Sequence, residues 1–272
     1  MPSKYVQVDG VATFLQHTGT TTLPEAPPLL NAGEVVLCVH ASGGNGAVFR
    51  PLLRALSAAH SPLAFDLPGH GRSGGLDSLG SIEQMAAFTG ALADKLGLRP
   101  YVMLGEGMGA AVAVEVALAR PETVRALVLC SGDTNLGLDD ERLEGLRRVT
   151  EGKARREFDR SGFSPGAERA VYERAFREWL KTDPRATYGD ERACRQWQAG
   201  ERLAALSVPA LVVAGADDEG SRAGSDRLVA AIPGAPTRTV RLDLTGAGRR
   251  ISLEQPGGLA DAVQEFLGEL AP

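Results

Sequence analysis

A chain of 272 residues, 43% hydrophobic and 23% charged, has the composition of an ordinary soluble globular protein and enough length for one large α/β unit. A net charge of −5 with no cluster of Lys and Arg argues against a nucleic-acid partner. No run approaches transmembrane length, and the N-terminal MPSKYVQVDG lacks the apolar core of a signal peptide. Cys38, Cys130 and Cys194 stand at no metal-ligand spacing, so they read as buried thiols in a reducing, cytoplasmic setting with no metal.

In chain order, Tyr5–Val8 and Val11–Gln16 flank Asp9-Gly10, which predicts an opening antiparallel hairpin. Val35–His40 reads as a buried strand, Phe49–Ala59 as a helix and Leu63–Asp66 as a short strand. Ser81 with Glu83 and Gln84 begins a helix Ile82–Leu96 that Gly97 ends. Tyr101–Leu104 is the next strand, Ala110–Arg120 the helix after it, and Val124–Cys130 the sixth strand. Between Gly132 and Leu206 strand patterns vanish and Arg, Glu and Asp crowd the chain, with both tryptophans, Trp179 and Trp197; this stretch predicts a helical insertion. Alternation returns at Pro209–Gly215 and Thr239–Leu244, and a helix Gly257–Leu270 closes the chain. Short apolar strands alternating with helices predict βαβ units and a mostly parallel central sheet flanked by helices. The corresponding division places the first core segment at residues 1–133, a helical cap at 134–205 and the second core segment at 206–272.

The stretch LGEGMG, Leu104–Gly109, has the spacing of the G-x-S-x-G nucleophile elbow, a strained strand-to-helix turn that lifts one side chain over a sheet. Its central residue is Gly107. Four further motifs accompany it: VHASGG at Val39–Gly44, FDLPGHGRSG at Phe65–Gly74, LVVAGADD at Leu211–Asp218 and LTGAGRRISLEQP at Leu244–Pro256. In this order they resemble the α/β-hydrolase superfamily, in particular small hydrolases with a helical cap after the sixth strand. The resemblance implies an oxyanion loop at His40–Gly44, an acid at Asp218 (with Asp217 as the other register) and a histidine position held here by Arg249.

A glycine forms no acyl-enzyme, and an arginine, with a pKa above ~12, is no general base. The resemblance therefore implies a degenerate triad and no serine-hydrolase chemistry. What remains is an oxyanion-type site: N–H groups of Met108 and Ser42, beside Gly43 and Gly107, at the positive end of a helix. Glu106 needs a cation or a proton, because a lone buried carboxylate is costly. Glu106–Arg249 and Asp218–Arg249 are the two pairings open. Either one plugs a dead pocket, or Glu106 or Asp218 is a base while Arg249 steadies an anion. Ser131 is the best displaced hydroxyl, Trp179 a cap aromatic facing ligand or packing the helices, and Arg250 a solvated rim charge. His40 and His70 read as structural, and Glu219–Ser225 as a loop.

The leading expectation is a cofactor-independent, non-hydrolytic cyclase, lyase or isomerase acting on a carbonyl-containing or polyketide-like small molecule. The alternatives are a catalytically dead protein that binds a small molecule or a protein partner, and an inactivated hydrolase. Composition is silent on oligomeric state.

Overall fold

The structure, a computed structural model, describes residues 1–24, 26–232 and 239–270. Eight strands form one sheet: β1 (Ser3–Val8), β2 (Val11–His17), β3 (Val35–Val39), β4 (Ser61–Phe65), β5 (Tyr101–Glu106), β6 (Val124–Cys130), β7 (Ala210–Gly215) and β8 (Thr239–Leu244). Their spatial order is β1-β2-β4-β3-β5-β6-β7-β8. The pairs β1–β2 and β2–β4 are antiparallel and every later pair is parallel. The hairpin forms as its turn predicts: Asp9 and Gly10 both take positive φ, 47° and 79°, and Val8 faces Val11 across them.

The central strands are apolar on both faces because helices cover both. Leu37, Val39, Met103, Leu127, Leu129 and Val212 point to one core, shared with α2 (Ile82–Leu96), α3 (Met108–Ala119) and α7 (Glu219–Ala231). Their neighbours Val36, Cys38, Val102, Leu104, Val128, Cys130 and Val213 point to the other, shared with α1 (Arg50–Leu56) and α9 (Pro256–Gly268). The alternation is the two-residue period of the strand, and each fully buried Leu contributes roughly 2 kcal/mol. Helix α3 is buried from Met108 to Ala117, as a helix apolar nearly all round must be; its one charge there, Glu115, accepts from Trp197 Nε1 at 2.7 Å and from Arg202 at 2.8 Å. Helix α2 starts where Ser81 Oγ accepts from Gln84 N–H at 3.2 Å and stops at Gly97, φ 68°.

Two local expectations are corrected. The predicted helix Phe49–Ala59 is a 3-10 turn at Gly46–Phe49, capped by Asn45, followed by the shorter α1. The predicted loop Glu219–Ser225 is the start of α7: Asp218 Oδ1 accepts from Ser221 N–H at 2.6 Å, and that cap outweighs the poor helix propensity of Gly220, Ser221, Gly224 and Ser225.

Between β6 and β7 lie α4 (Asp140–Thr150), α5 (Arg169–Trp179) and α6 (Pro184–Gln196), the helical insert that the sequence predicts. Helix α6 begins at Asp183, which accepts from Arg185 N–H at 2.8 Å, with Pro184 in its first turn. Its face Ala186–Asp190–Ala193 is buried against the core, and Thr187, Glu191 and Cys194 on the adjoining face line the space beneath the insert. No described helix is long and apolar enough to cross a membrane.

Candidate active site

Strand β5 runs straight into α3 through Gly107, at φ 57° and ψ −115°. The flanking glycines make this turn possible. A Cβ on Gly105 would lie 2.0 Å from the Gly109 carbonyl oxygen, and one on Gly109 would lie 2.0 Å from that of Val39, so helix and strands approach too closely for any side chain. Gly107 differs: a Cβ there meets only Ala41 Cβ, at 3.4 Å. Its missing side chain leaves open space over the sheet. The Met108 N–H, first of α3, has no acceptor within its helix and lies at the helix's positive end.

Above the turn a cavity of about 220 Å³ is lined by Ser42, Glu106, Gly107, Met108, Ser131, Glu191, Arg249 and Arg250, among others. A second chamber of about 500 Å³ lies outside it, walled by Leu146, Val149, Phe158, Trp179 and Thr187. Ser42, Leu138, Arg142, Asp159, Glu191 and Arg250 line both, so the two adjoin; the outer one mixes apolar walls with the charges of Arg155 and Glu157. Trp179 thus belongs to the outer chamber, where it stacks on Phe176 and carries the Arg156 guanidinium at 3.9 Å from its ring.

Of the two pairings open to Arg249, the one with Asp218 forms and the one with Glu106 does not. Arg249 Nε donates to Asp218 Oδ2 at 2.9 Å. Asp218 thereby has one oxygen on Arg249 and the other on the start of α7. Arg249 is half exposed, at 49% of its side chain. Surface pairs of this kind contribute about 0–1 kcal/mol. Arg249→Ala should therefore shift the urea midpoint by less than the equivalent of about 1 kcal/mol; a larger loss would mean a deeper structural role.

Glu106, 4% exposed, accepts from Ser252 N–H at 2.9 Å. Burial raises its pKa, against the pull of that N–H and of Arg250. The cation facing Glu106 is thus Arg250, and the expectation of a solvated rim charge there is corrected. The Arg250 guanidinium stands 5.0 Å from the Phe163 ring centre, with its Nε enclosed and bonded to nothing among the described residues. The register explains the error. The loop after β8 turns Arg249 outward and Arg250 inward, and α8 (Ile251–Glu254) follows at once.

Sequence reasoning missed Glu191. It projects from α6 into the wall shared by both chambers. Burial lifts its pKa to about 7, with the charge of Asp190 adding to the rise and the nearby Ser42 hydroxyl and Arg142 opposing it. A helical face with Thr187, Glu191 and Cys194 at spacings of four and three was the available signal, but nothing local shows which face of α6 meets the core.

The residue beside it, Asp190, is fully buried and ties the insert to the core. Its Oδ2 accepts from Gly43 N–H at 2.9 Å and lies 2.8 Å from His70 Nε2. Burial alone would favour the neutral forms of both groups, but each other's charge reverses this: His70 is raised and Asp190 lowered, so each favours the ionised form of the other. Gly43 consequently has its N–H committed to Asp190 and presents none to a ligand; the free donors beside the turn are Met108 and Ser42. His40 holds the same loop, with Nδ1 2.9 Å from the Ala41 carbonyl and Nε2 accepting from Leu67 N–H.

Ser131, with φ 47°, bonds to Ser221 Oγ at 2.9 Å, and Ser221 Oγ accepts from Gly215 N–H at 3.1 Å. Its hydroxyl closes the junction of β6, β7 and α7, and no histidine lines either chamber. Asp217 accepts from Ser164 Oγ at 2.5 Å in a separate, larger hollow of about 780 Å³ that does not reach the β5–α3 turn. The three cysteines are free and buried. Among the described residues no three His, Cys, Asp or Glu side chains converge as a metal-ligand set.

This architecture has many counterparts. An enol-lactonase from Burkholderia xenovorans superposes with a TM-score of 0.79 at 22% identity over 97% of this chain and 100% of that one. An esterase from Exiguobacterium antarcticum does so with a TM-score of 0.81 at 16% identity over 98% and 99%. In sequence, the chain is 30% identical over 256 residues to polyketide synthase ThaQ of Burkholderia thailandensis, a match covering 87% of this chain and 12% of that protein. It is 35% identical over 101 residues to RutD of Azorhizobium caulinodans, provisionally named a carbamate hydrolase, covering 37% of this chain and 38% of that one. These two matches and three others span between 12% and 47% of the curated relatives' own lengths. Residues 36–262 match the alpha/beta hydrolase family as a whole, and with the sheet order, the glycine-flanked turn and the helical insert in place, the chain belongs to that family.

Proposed function

We propose that the chain is a small-molecule enzyme that moves a proton on a carbonyl-containing, polyketide-like substrate without a covalent acyl intermediate. The observation that carries this reading is Glu191: a carboxylate in the cavity wall, with no ion-pair partner among the described residues, poised to titrate near pH 7. That is the property a general acid/base needs. Glu106 is the poorer base, being sealed and bonded to the backbone at Ser252, and Asp218 has both oxygens engaged.

In the proposed step a substrate carbonyl oxygen lies against the N–H groups of Met108 and Ser42. Glu191 takes the proton from the adjacent carbon, and the electron pair of that C–H bond moves into an enolate held by the two donors. The proton returns to another atom of the same substrate, so no cofactor is consumed. The extended match to a polyketide synthase supports a substrate built of alternating carbonyls.

The test is solvent deuterium exchange at the activated carbon of a panel of β-dicarbonyl compounds, followed by product analysis. Exchange is expected from the parent and not from Glu191→Gln. Rapid labelling of the cavity by a fluorophosphonate would overturn the reading.

A second reading is favoured by the open space at Gly107 and by the provisional name of RutD. A water molecule seated there and activated by Glu191 would attack the carbonyl directly. Incorporation of labelled solvent oxygen into product separates the two.

Gly107→Ser should not create an esterase. The φ of 57° makes that serine cost about 1–3 kcal/mol. With no histidine in the cavity, no burst of aryl-ester cleavage should follow. A burst would show that a proton acceptor does reach position 107.

A further inference from the structure

We propose that Arg250 is the receptor for an acid group on the substrate, which is an amphipathic carboxylic acid: its anionic end enters the inner cavity and its apolar body fills the outer chamber. The inference deepens the proton-transfer reading above and rests on it for what happens after binding.

Arg250 is a half-buried cation that faces Glu106 without a direct ion-pair contact to it. Its Nε is enclosed and donates to no acceptor among the described residues, and none of their carboxylates forms an ion pair with it. The neighbouring carboxylates make their hydrogen bonds to other groups. Asp159 pairs with Arg142 at 3.0 Å. Glu254 accepts from Gly248 and Ser164 N–H at 3.0 and 2.6 Å, and Glu106 accepts from Ser252 N–H.

The Phe163 ring lies 5.0 Å from the guanidinium carbon, and Arg250 also lines the inner cavity. A half-buried charge of this kind is costly unless a ligand completes it. A planar guanidinium is completed best by a carboxylate, which takes two parallel N–H···O bonds.

The shape of the space supplies the rest. The inner cavity, about 220 Å³, suits a small polar head. The outer chamber, about 500 Å³, has an apolar strip of Leu138, Leu146, Val149, Phe158 and Trp179 beside the charged Arg155 and Glu157; the strip suits an alkyl or aryl body.

Calorimetric titration with octanoate and with octanamide, equal in length and unlike in charge, tests the proposal. The parent should bind octanoate on the order of 10- to 100-fold more tightly, the ratio expected of a charge-assisted hydrogen-bonded contact. Arg250→Met should bring octanoate down to the level of the amide, and Arg250→Lys should keep part of the preference. A parent that binds both alike, or an Arg250→Met protein that keeps the preference, overturns the proposal. Should Arg250→Met fail to fold, the parent's own ratio and the Lys variant decide. Glu191→Gln separates this reading from the one it rests on: it should lose exchange chemistry yet bind octanoate at least as well as the parent. Exchange that survives in Glu191→Gln beside an intact acid preference would sink the base assignment alone.

Discussion

Glu191→Gln is expected to lower kcat/KM by roughly 100- to 10,000-fold, the usual worth of a positioned acid/base group, and at the same time to stabilise the protein above pH 7. The two effects share one cause. The carboxyl is held in a partly desolvated wall where the charged form is penalised, so its pKa lies at about 7 rather than 4.5. In the folded protein the proton is held more tightly than in the unfolded chain. The sign follows: stability is complete below about pH 4.5, falls as pH rises toward about 7, and is level beyond.

A shift of that size corresponds to about 3 kcal/mol if wholly realised. Partial solvent access and the opposing charge of Arg142 reduce it to about 1–2 kcal/mol. Gln keeps the shape and carries no charge, so the urea midpoint of the variant should exceed the parent's at pH 8 and match it at pH 4.

For the parent, kcat/KM should rise with pH to a plateau with its midpoint near 7, since the ionised carboxylate is the base. Burial, with Ser42, Asp190 and Arg142 around this group, sets the midpoint. A variant with normal turnover, or with no gain in stability at pH 8, would remove Glu191 from the mechanism.

Asp190→Asn is expected to destabilise the fold by about 3 kcal/mol, because it strips the partner from a buried charge. Its Oδ2 joins three separate pieces of chain: α6, the loop after β3 through Gly43 N–H, and the turn after β4 through His70. Asparagine still accepts one hydrogen bond but cannot neutralise the imidazolium. His70 then returns to a neutral form, favoured by its burial.

The pH dependence of the clamp has two edges. His70, raised above its ordinary 6.5, contributes below that value and is lost as pH climbs through its elevated pKa. Asp190, lowered below 3.8, is lost only as pH falls through its depressed pKa. The clamp is therefore complete around pH 5–6, where urea unfolding of parent and variant should be compared. Amide hydrogen exchange in α6 should accelerate in the variant ahead of exchange in β5 and β6, as the insert loosens from the sheet. Loss of the Asp190 charge also lowers the pKa of Glu191, which that charge helps to raise. The activity midpoint should move to lower pH. A cost below about 1 kcal/mol would show that the insert is held by other contacts.

The local determinants were legible without the structure. Asp9-Gly10 predicts the hairpin, Ser81 and Gly97 bound α2, and the glycines at 105 and 109 mark a place where a helix touches its strands without side chains between. Periodicity shows which strands are covered on both faces, and five motifs in order identify the family. These features depend on neighbours within a turn or two, where sequence distance and spatial distance nearly coincide.

Other features depend on residues that the chain brings together from far apart. Adjacent in sequence, Arg249 and Arg250 differ only in which way one loop turns. One stays half exposed while it pairs with the buried carboxylate of Asp218, and the other is turned inward against Phe163 of the insert. Asp190 and Glu191 are likewise adjacent, and helical geometry sends one into the core as a clamp and the other into the cavity as a titrating wall. The sequence by itself determined the sheet, its helices and the bare turn at Gly107. Only the tertiary structure decided which of two neighbouring charges is turned further inward, because desolvation and pairing are properties of the assembled space and carry no local signature.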